Sequence, residues 1–170
     1  MNLQAFIRDV PDFPKKGIIF KDITPLLQNA AAFKHTIDVL TERYRDKRVD
    51  VVVAAEARGF IIGAPLAYNL GAGFVPVRKP AKLPAECISA EYALEYGVDS
   101  LHMHSDAILP GQRVLVIDDL LATGGTVAAK IALVEKLGGQ VISLAFLIEL
   151  TFLNGREALK DYEVVSLIQY

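Results

Sequence analysis

The 170-residue sequence predicts an α/β fold: a central, mostly parallel sheet flanked by helices, with a small N-terminal hood and a flexible loop outside the sheet. Three observations lead there. Apolar, β-branched runs recur along the chain with helix-period segments between several of them. The runs are continuous rather than alternating polar and apolar, as strands covered on both faces are. Two further segments fit neither pattern. The length suits one domain, taken as residues 1–170, with the hood at about 11–28 and the loop at about 79–104.

The first helix follows Asn29, a capping residue, with Phe33, Ile37, Leu40 and Tyr44 at helical spacing and Lys34, Asp38, Glu42 and Arg45 between them. "VDVVVAA" (49–55) is the first buried strand. "EARGFIIGAPLAYNLG" (56–71) is a loop leading into a helix that stops near Gly71. "GFVPVRK" (73–79) and "RVLVIDD" (113–119) are the next strands. "GGTVAAKIALVEKLGG" (124–139) is a helix with Val127, Ile131 and Val134 on one face, and "QVISLAFLIEL" (140–150) and "YEVVSLIQY" (162–170) are the last two strands. Outside this series, "PDFPKKGIIFKDITPLL" (11–27) has three prolines and little helical period, which predicts an irregular flap. "KPAKLPAECISAEYALEYGVDSLHMHSD" (79–106) is a connection of about 25 residues, too long for an ordinary crossover and therefore a lid or binding loop.

Composition narrows the class. Hydrophobic residues make up 52% of the chain and the mean hydropathy is +0.33, so part of the apolar surface is expected to be covered by a partner subunit. No apolar run approaches the ~20 residues that span a bilayer, and the first residues lack the order of a signal peptide, so a soluble, cytoplasmic protein is expected. The single cysteine, Cys87, excludes an internal disulfide and any multi-cysteine zinc site. A net charge of −2 gives no basis for nucleic-acid or membrane affinity. His102 and His104 alternate as metal ligands on a strand would, but no third ligand accompanies them, and surface histidines are the simpler reading.

In a parallel sheet, ligands bind outside the carboxyl ends of the strands. There, Asp118 and Asp119 close a strand, and Ala122, Thr123, Gly124, Gly125 and Thr126 open a helix. The glycines allow close backbone approach, the first helical amides point outward, and the two threonines add hydroxyls, so one phosphate fits. Standing alone, Thr-Gly-Gly-Thr would equally be a tight turn. Walker and dinucleotide glycine patterns are both missing. Two carboxylates at about 4 Å repel by roughly 4 kcal/mol at an effective dielectric of 20, so they should face hydroxyls or a cation. A sugar phosphate meets both demands.

"VLVIDDLLATGGT" resembles the phosphoribosyl-pyrophosphate (PRPP) signature of the type I phosphoribosyltransferases, which nonenzymatic members share. "PDFPKKGIIFKDITPLL", "EARGFIIGAPLA", "VPVRKPAKLP", "ALEYG", "DLLATGGT" and "IEL" follow the order and spacing of its adenine-using branch over nearly the whole chain. The resemblance implies transfer of ribose 5-phosphate from PRPP to N9 of adenine, giving AMP and pyrophosphate, with Mg²⁺ carried by PRPP, no metal bound directly by the protein, and a homodimer. It places the ribose diol on Asp118 and Asp119 and the 5′-phosphate on residues 122–126. Pyrophosphate is assigned to Glu56, Ala57, Arg58, Arg78, Lys79 and Lys82, with the Glu56–Ala57 peptide cis, although Lys79 and Lys82 also read as a solvated basic face.

Arg58 joins Glu95 and Tyr96 of the loop as catalytic residues, Glu95 handling a proton at the purine; as residues alone, these are also ordinary loop side chains. His102 stands where the family commonly carries a further glutamate. Adenine is implied to lie against Phe20, with the backbone of Ile19 and Lys21 reading its edge and Leu150 at the far side; Phe20 reads equally as a core residue, and Lys21 replaces the family's usual arginine. The alternatives are a xanthine- or hypoxanthine-using relative, and a noncatalytic PRPP-binding regulator, which would carry a nucleic-acid-binding motif or basic face.

Overall fold

The computed structural model describes residues 1–93 and 98–170. The chain divides into two compact units, Met1–Arg43 and Tyr44–Tyr170.

In the first unit, β1 (Arg8–Pro11) and β2 (Ile19–Asp22) form an antiparallel ribbon with Val10 opposite Phe20. Two ion pairs fix its register, Arg8 with Asp22 and Lys21 with Asp9, each at 2.7 Å. The expected irregular flap is therefore an ordered ribbon followed by a short helix. Its prolines lie where a ribbon tolerates them: Pro11 ends β1, Pro14 follows a cis bond in the connection, and Pro25 lies in the first turn of α1 (Thr24–Gln28). Asp22 accepts from the Thr24 amide at 2.9 Å and so holds the start of α1. Asn29 caps α2 (Ala30–Tyr44) as expected, accepting from the Ala32 amide at 3.0 Å.

The second unit is built on a five-stranded parallel sheet in the order β4 (Gly73–Val77), β3 (Val51–Ala55), β7 (Arg113–Leu121), β8 (Gln140–Glu149), β9 (Val164–Gln169). β3 is buried throughout, as its unbroken apolar run requires. Helix α3 (Arg58–Leu70) joins β3 to β4, and α4 (Gly125–Lys136) joins β7 to β8. Val127, Ile131 and Val134 of α4 are buried in the main core with Val53, Val116 and Phe146. The connection from β3 leads to one side of the sheet and that from β7 to the other, so the crevice between β3 and β7 is a topological switch point.

The described residues of the expected lid or binding loop, 79–106, carry two strands. β5 (Cys87–Ala93) and β6 (Val98–His104) pair antiparallel over seven positions, with Ile88, Ala90 and Tyr92 packed against the core. Alternation of these residues with Ser89 and Glu91 gives the segment the period of a half-buried strand. His102 and His104 are half-buried on β6 rather than on the surface; His102 Nε2 lies 3.3 Å from Ser100 Oγ.

Candidate active site

A cavity of about 270 Å³ opens at the switch point, lined by Glu56 and Arg58 from the β3–α3 turn, Asp118 and Asp119 from β7, the loop from Ala122 to Thr126, and Lys79 and Tyr92. The two acids are neighbours on a strand, so their side chains leave opposite faces. Asp118 is held by Lys130 of α4, Nζ to Oδ2 at 2.5 Å, and its Oδ1 accepts the Asp119 amide at 3.0 Å. Asp119 is held from the other side by Arg58, the first residue of α3, Nε to Oδ2 at 2.8 Å. Burial, and then the adjacent Asp118 charge, push the Asp119 carboxyl up to about 7, with Arg58 and Lys130 opposing.

The loop expected to hold a phosphate turns sharply from β7 into α4. Gly124 takes φ of 92°, a conformation that a side chain rarely adopts, and its carbonyl accepts the first α4 bond from the Ala128 amide at 2.9 Å. The amides that open α4 stand at the positive end of the helix dipole.

The predicted pyrophosphate residues separate into two groups. Glu56, Arg58 and Lys79 line the cavity, whereas Ala57, Arg78 and Lys82 do not. The Glu56–Ala57 peptide is cis. Glu56 accepts from the Lys79 amide at 2.8 Å and from Arg78 at 3.1 Å. Burial raises the Glu56 carboxyl, but the Lys79 amide, Arg78 and Lys82 outweigh it and hold the group below its ordinary range. Arg78 Nε is buried without a hydrogen-bond partner, and its other side donates to the Lys82 carbonyl at 3.2 Å. Lys79 pairs with Asp99 at 3.1 Å, and the same carboxylate accepts from the Tyr92 hydroxyl at 3.1 Å.

Glu95 and Tyr96 lie outside the described residues. Ile19, Phe20 and Lys21 belong to the first unit, where Phe20 borders an apolar recess of about 260 Å³ with Val10, Phe13 and Asp22, and meets Phe13 edge-on at 5.2 Å. The Lys21 ammonium is engaged by Asp9. Leu150 belongs to the second unit, its amide bonded to the Leu121 carbonyl at 2.9 Å. Sequence reasoning missed Lys130 and the Lys79–Asp99–Tyr92 cluster. For Lys130 the signal was present: it lies three residues after Val127, on the apolar face of α4.

The phosphoribosyl transferase domain family matches residues 22–169. An adenine phosphoribosyltransferase of Thermotoga petrophila is 61% identical over 170 residues, covering all of both chains. The crystal structure of adenine phosphoribosyltransferase from Thermoanaerobacter pseudethanolicus superposes with a TM-score of 0.96 at 60% identity, over 99% of this chain and 98% of that one. A Saccharomyces cerevisiae adenine phosphoribosyltransferase, crystallised with an imino-altritol bisphosphate and adenine, is similar at a TM-score of 0.90 and 42% identity, over 95% and 94% of the two chains. With this sheet order, a paired-acid strand end and relatives of such identity over its full length, the chain belongs to the adenine phosphoribosyltransferase family.

Proposed function

We propose that this pentosyltransferase joins adenine N9 to C1′ of PRPP, forming AMP and pyrophosphate, with the labour divided along the switch point. The 5′-phosphate lies on the loop from Ala122 to Thr126, and the ribose diol donates to the acid pair. Arg58, Arg78, Lys79 and Lys82 draw off the charge that develops on the departing pyrophosphate. Sugar–nitrogen exchange of this kind passes through an oxocarbenium-like state that water would capture, so the segment containing Glu95 and Tyr96 closes over it, and Glu95 handles the purine proton. Phe20 stacks on adenine, and the Ile19 and Lys21 backbone reads its edge. Engagement of the Lys21 ammonium by Asp9 supports a backbone rather than side-chain role there.

PRPP enters as its magnesium complex. Arg58, Arg78 and Lys130 already engage Asp119, Glu56 and Asp118, which supports an ion held by the ligand's own phosphates. The enzyme works as a cytoplasmic homodimer; high apolar content and exposed Ile61 and Tyr68 on α3 support a covered face, and no helix among the described residues is long and apolar enough to cross a membrane.

One observation carries the reading: the acid pair, the phosphate loop and the Glu56–Arg58 turn line a single cavity at the switch point. The test compares adenine, guanine, hypoxanthine and xanthine with PRPP and Mg²⁺. Adenine should react and the other three poorly; preference for a 6-oxopurine would overturn the substrate assignment.

A further inference from the structure

Lys130 is the one buried cation among the described residues that this division of labour leaves unused. Its side chain is 0% exposed, within α4 between Ala129 and Ile131, which are themselves core residues. A lysine in such a position is unfavourable unless its charge is matched, because burial disfavours the ammonium. Its Nζ lies 2.5 Å from Asp118 Oδ2 and 3.4 Å from the Ile117 carbonyl. With the Asp119 amide on Oδ1, both oxygens of Asp118 are therefore engaged by protein donors. Asp119 has its cation from a different helix, Arg58 of α3. The two acids of the signature are thus not equivalent. One is fixed from within the core, and the other is paired at the cavity wall with a half-buried arginine.

We propose that Lys130 is a positioning residue for PRPP: acting through Asp118, it fixes that carboxylate's orientation and matches its charge, so that the adjoining loop can take a phosphate beside two acids. Without it, the buried Asp118 carboxylate loses the cation supplied from the core and confronts Asp119 and the incoming phosphate directly. The effect belongs to PRPP rather than to adenine, and to binding rather than to turnover. It also vanishes when Asp118 carries no charge, which a merely structural role for the lysine would not do.

The proposal rests on the PRPP reading of this site and is tested by a double-mutant cycle of Lys130→Met and Asp118→Asn, read as PRPP Kd and as separate KM values for PRPP and adenine. Lys130→Met should raise PRPP Kd and KM by about tenfold while adenine KM and kcat stay within about threefold. Adding it to Asp118→Asn should leave the PRPP Kd of Asp118→Asn unchanged within about twofold. Unaltered PRPP binding in Lys130→Met, or multiplicative losses in the double variant, would overturn the proposal. If Lys130→Met is insoluble, the double variant decides: recovered solubility with the PRPP Kd of Asp118→Asn supports it, and continued insolubility or a further rise in Kd overturns it. Failure of the unaltered protein to bind PRPP would instead refute the reading of the site itself.

Discussion

The Asp119 carboxylate takes its cation from Arg58, 2.8 Å away on α3, while its sequence neighbour Asp118 takes one from α4. Pairing does not keep Asp119 at its ordinary value, because burial and Asp118 together push it up to about 7 from 3.8. The folded ligand-free chain therefore holds a proton between those values that the unfolded chain has released. This contribution to stability is fully present below pH 3.8 and is lost as the pH rises through about 7. Denaturant midpoints of the unaltered protein should fall relative to those of Asp119→Asn as the pH rises across that window. A constant difference would refute the shift. PRPP KM should decrease over the same window, since only the ionised group accepts from both ribose hydroxyls without a competing proton.

Replacement of either acid by asparagine should weaken PRPP binding with the fold intact. Each substitution removes a charged acceptor, a loss of about 1.5–3 kcal/mol or roughly 10- to 150-fold in Kd. Calorimetric titration with PRPP would measure this directly, and unchanged affinity in both variants would remove the diol role.

Glu149, at the end of β8, is 4% exposed and receives Arg156 at 2.6 and 2.7 Å, Ser166 at 2.5 Å and Gln169 at 3.1 Å. The Arg156 pairing, helped by Ser166 and Gln169 against the opposing effect of burial, holds its carboxyl down at about 2. The stability it contributes is present above pH 4.5 and lost as the pH falls through about 2. Glu149→Gln should cost about 1.5–3 kcal/mol at neutral pH. In urea titrations the gap to the unaltered protein should narrow progressively on acidification; a gap independent of pH would count against the pairing.

Gly155 sits behind the loop from Ala122 to Thr126. A Cβ there would press on the Ala122 carbonyl oxygen and come to 3.0 Å of Leu121 Cδ1. Gly155→Ala must displace the loop or its own turn, an overpacking cost of about 1–3 kcal/mol. PRPP KM should rise by about tenfold with adenine KM little changed. Equal rises in both constants would show that the turn supports the whole site rather than the loop.

Glu95→Gln should lower kcat by about 10²-fold or more if the carboxylate moves the purine proton. PRPP Kd should stay within about twofold, and full turnover would make Glu95 an ordinary loop acid.

The parallel sheet was legible because strands buried on both faces leave unbroken apolar runs such as residues 51–55 and 114–117. That the acid pair and the loop from Ala122 to Thr126 share one cavity was legible because these residues are local to one strand–helix turn. What the sequence concealed was pairing at a distance. Lys130 and Asp118 are separated by the phosphate loop, and only the packing of α4 against β7 joins them. The N-terminal ribbon depends on Arg8 meeting Asp22 and Lys21 meeting Asp9, a register that prolines in the connection obscured. In the β5–β6 ribbon, the alternation of Ile88, Ala90 and Tyr92 was outweighed by the length and polarity of the segment.

Four cations in and behind the cavity wall are paired with acids. Among the described residues, Arg58 and Lys79 of the cavity wall face Asp119 and Asp99, and behind the wall Arg78 and Lys130 face Glu56 and Asp118. An anion that engages one of these cations must part an ion pair and leaves an acid exposed to it. Each of these cations is held in place by a carboxylate of its own.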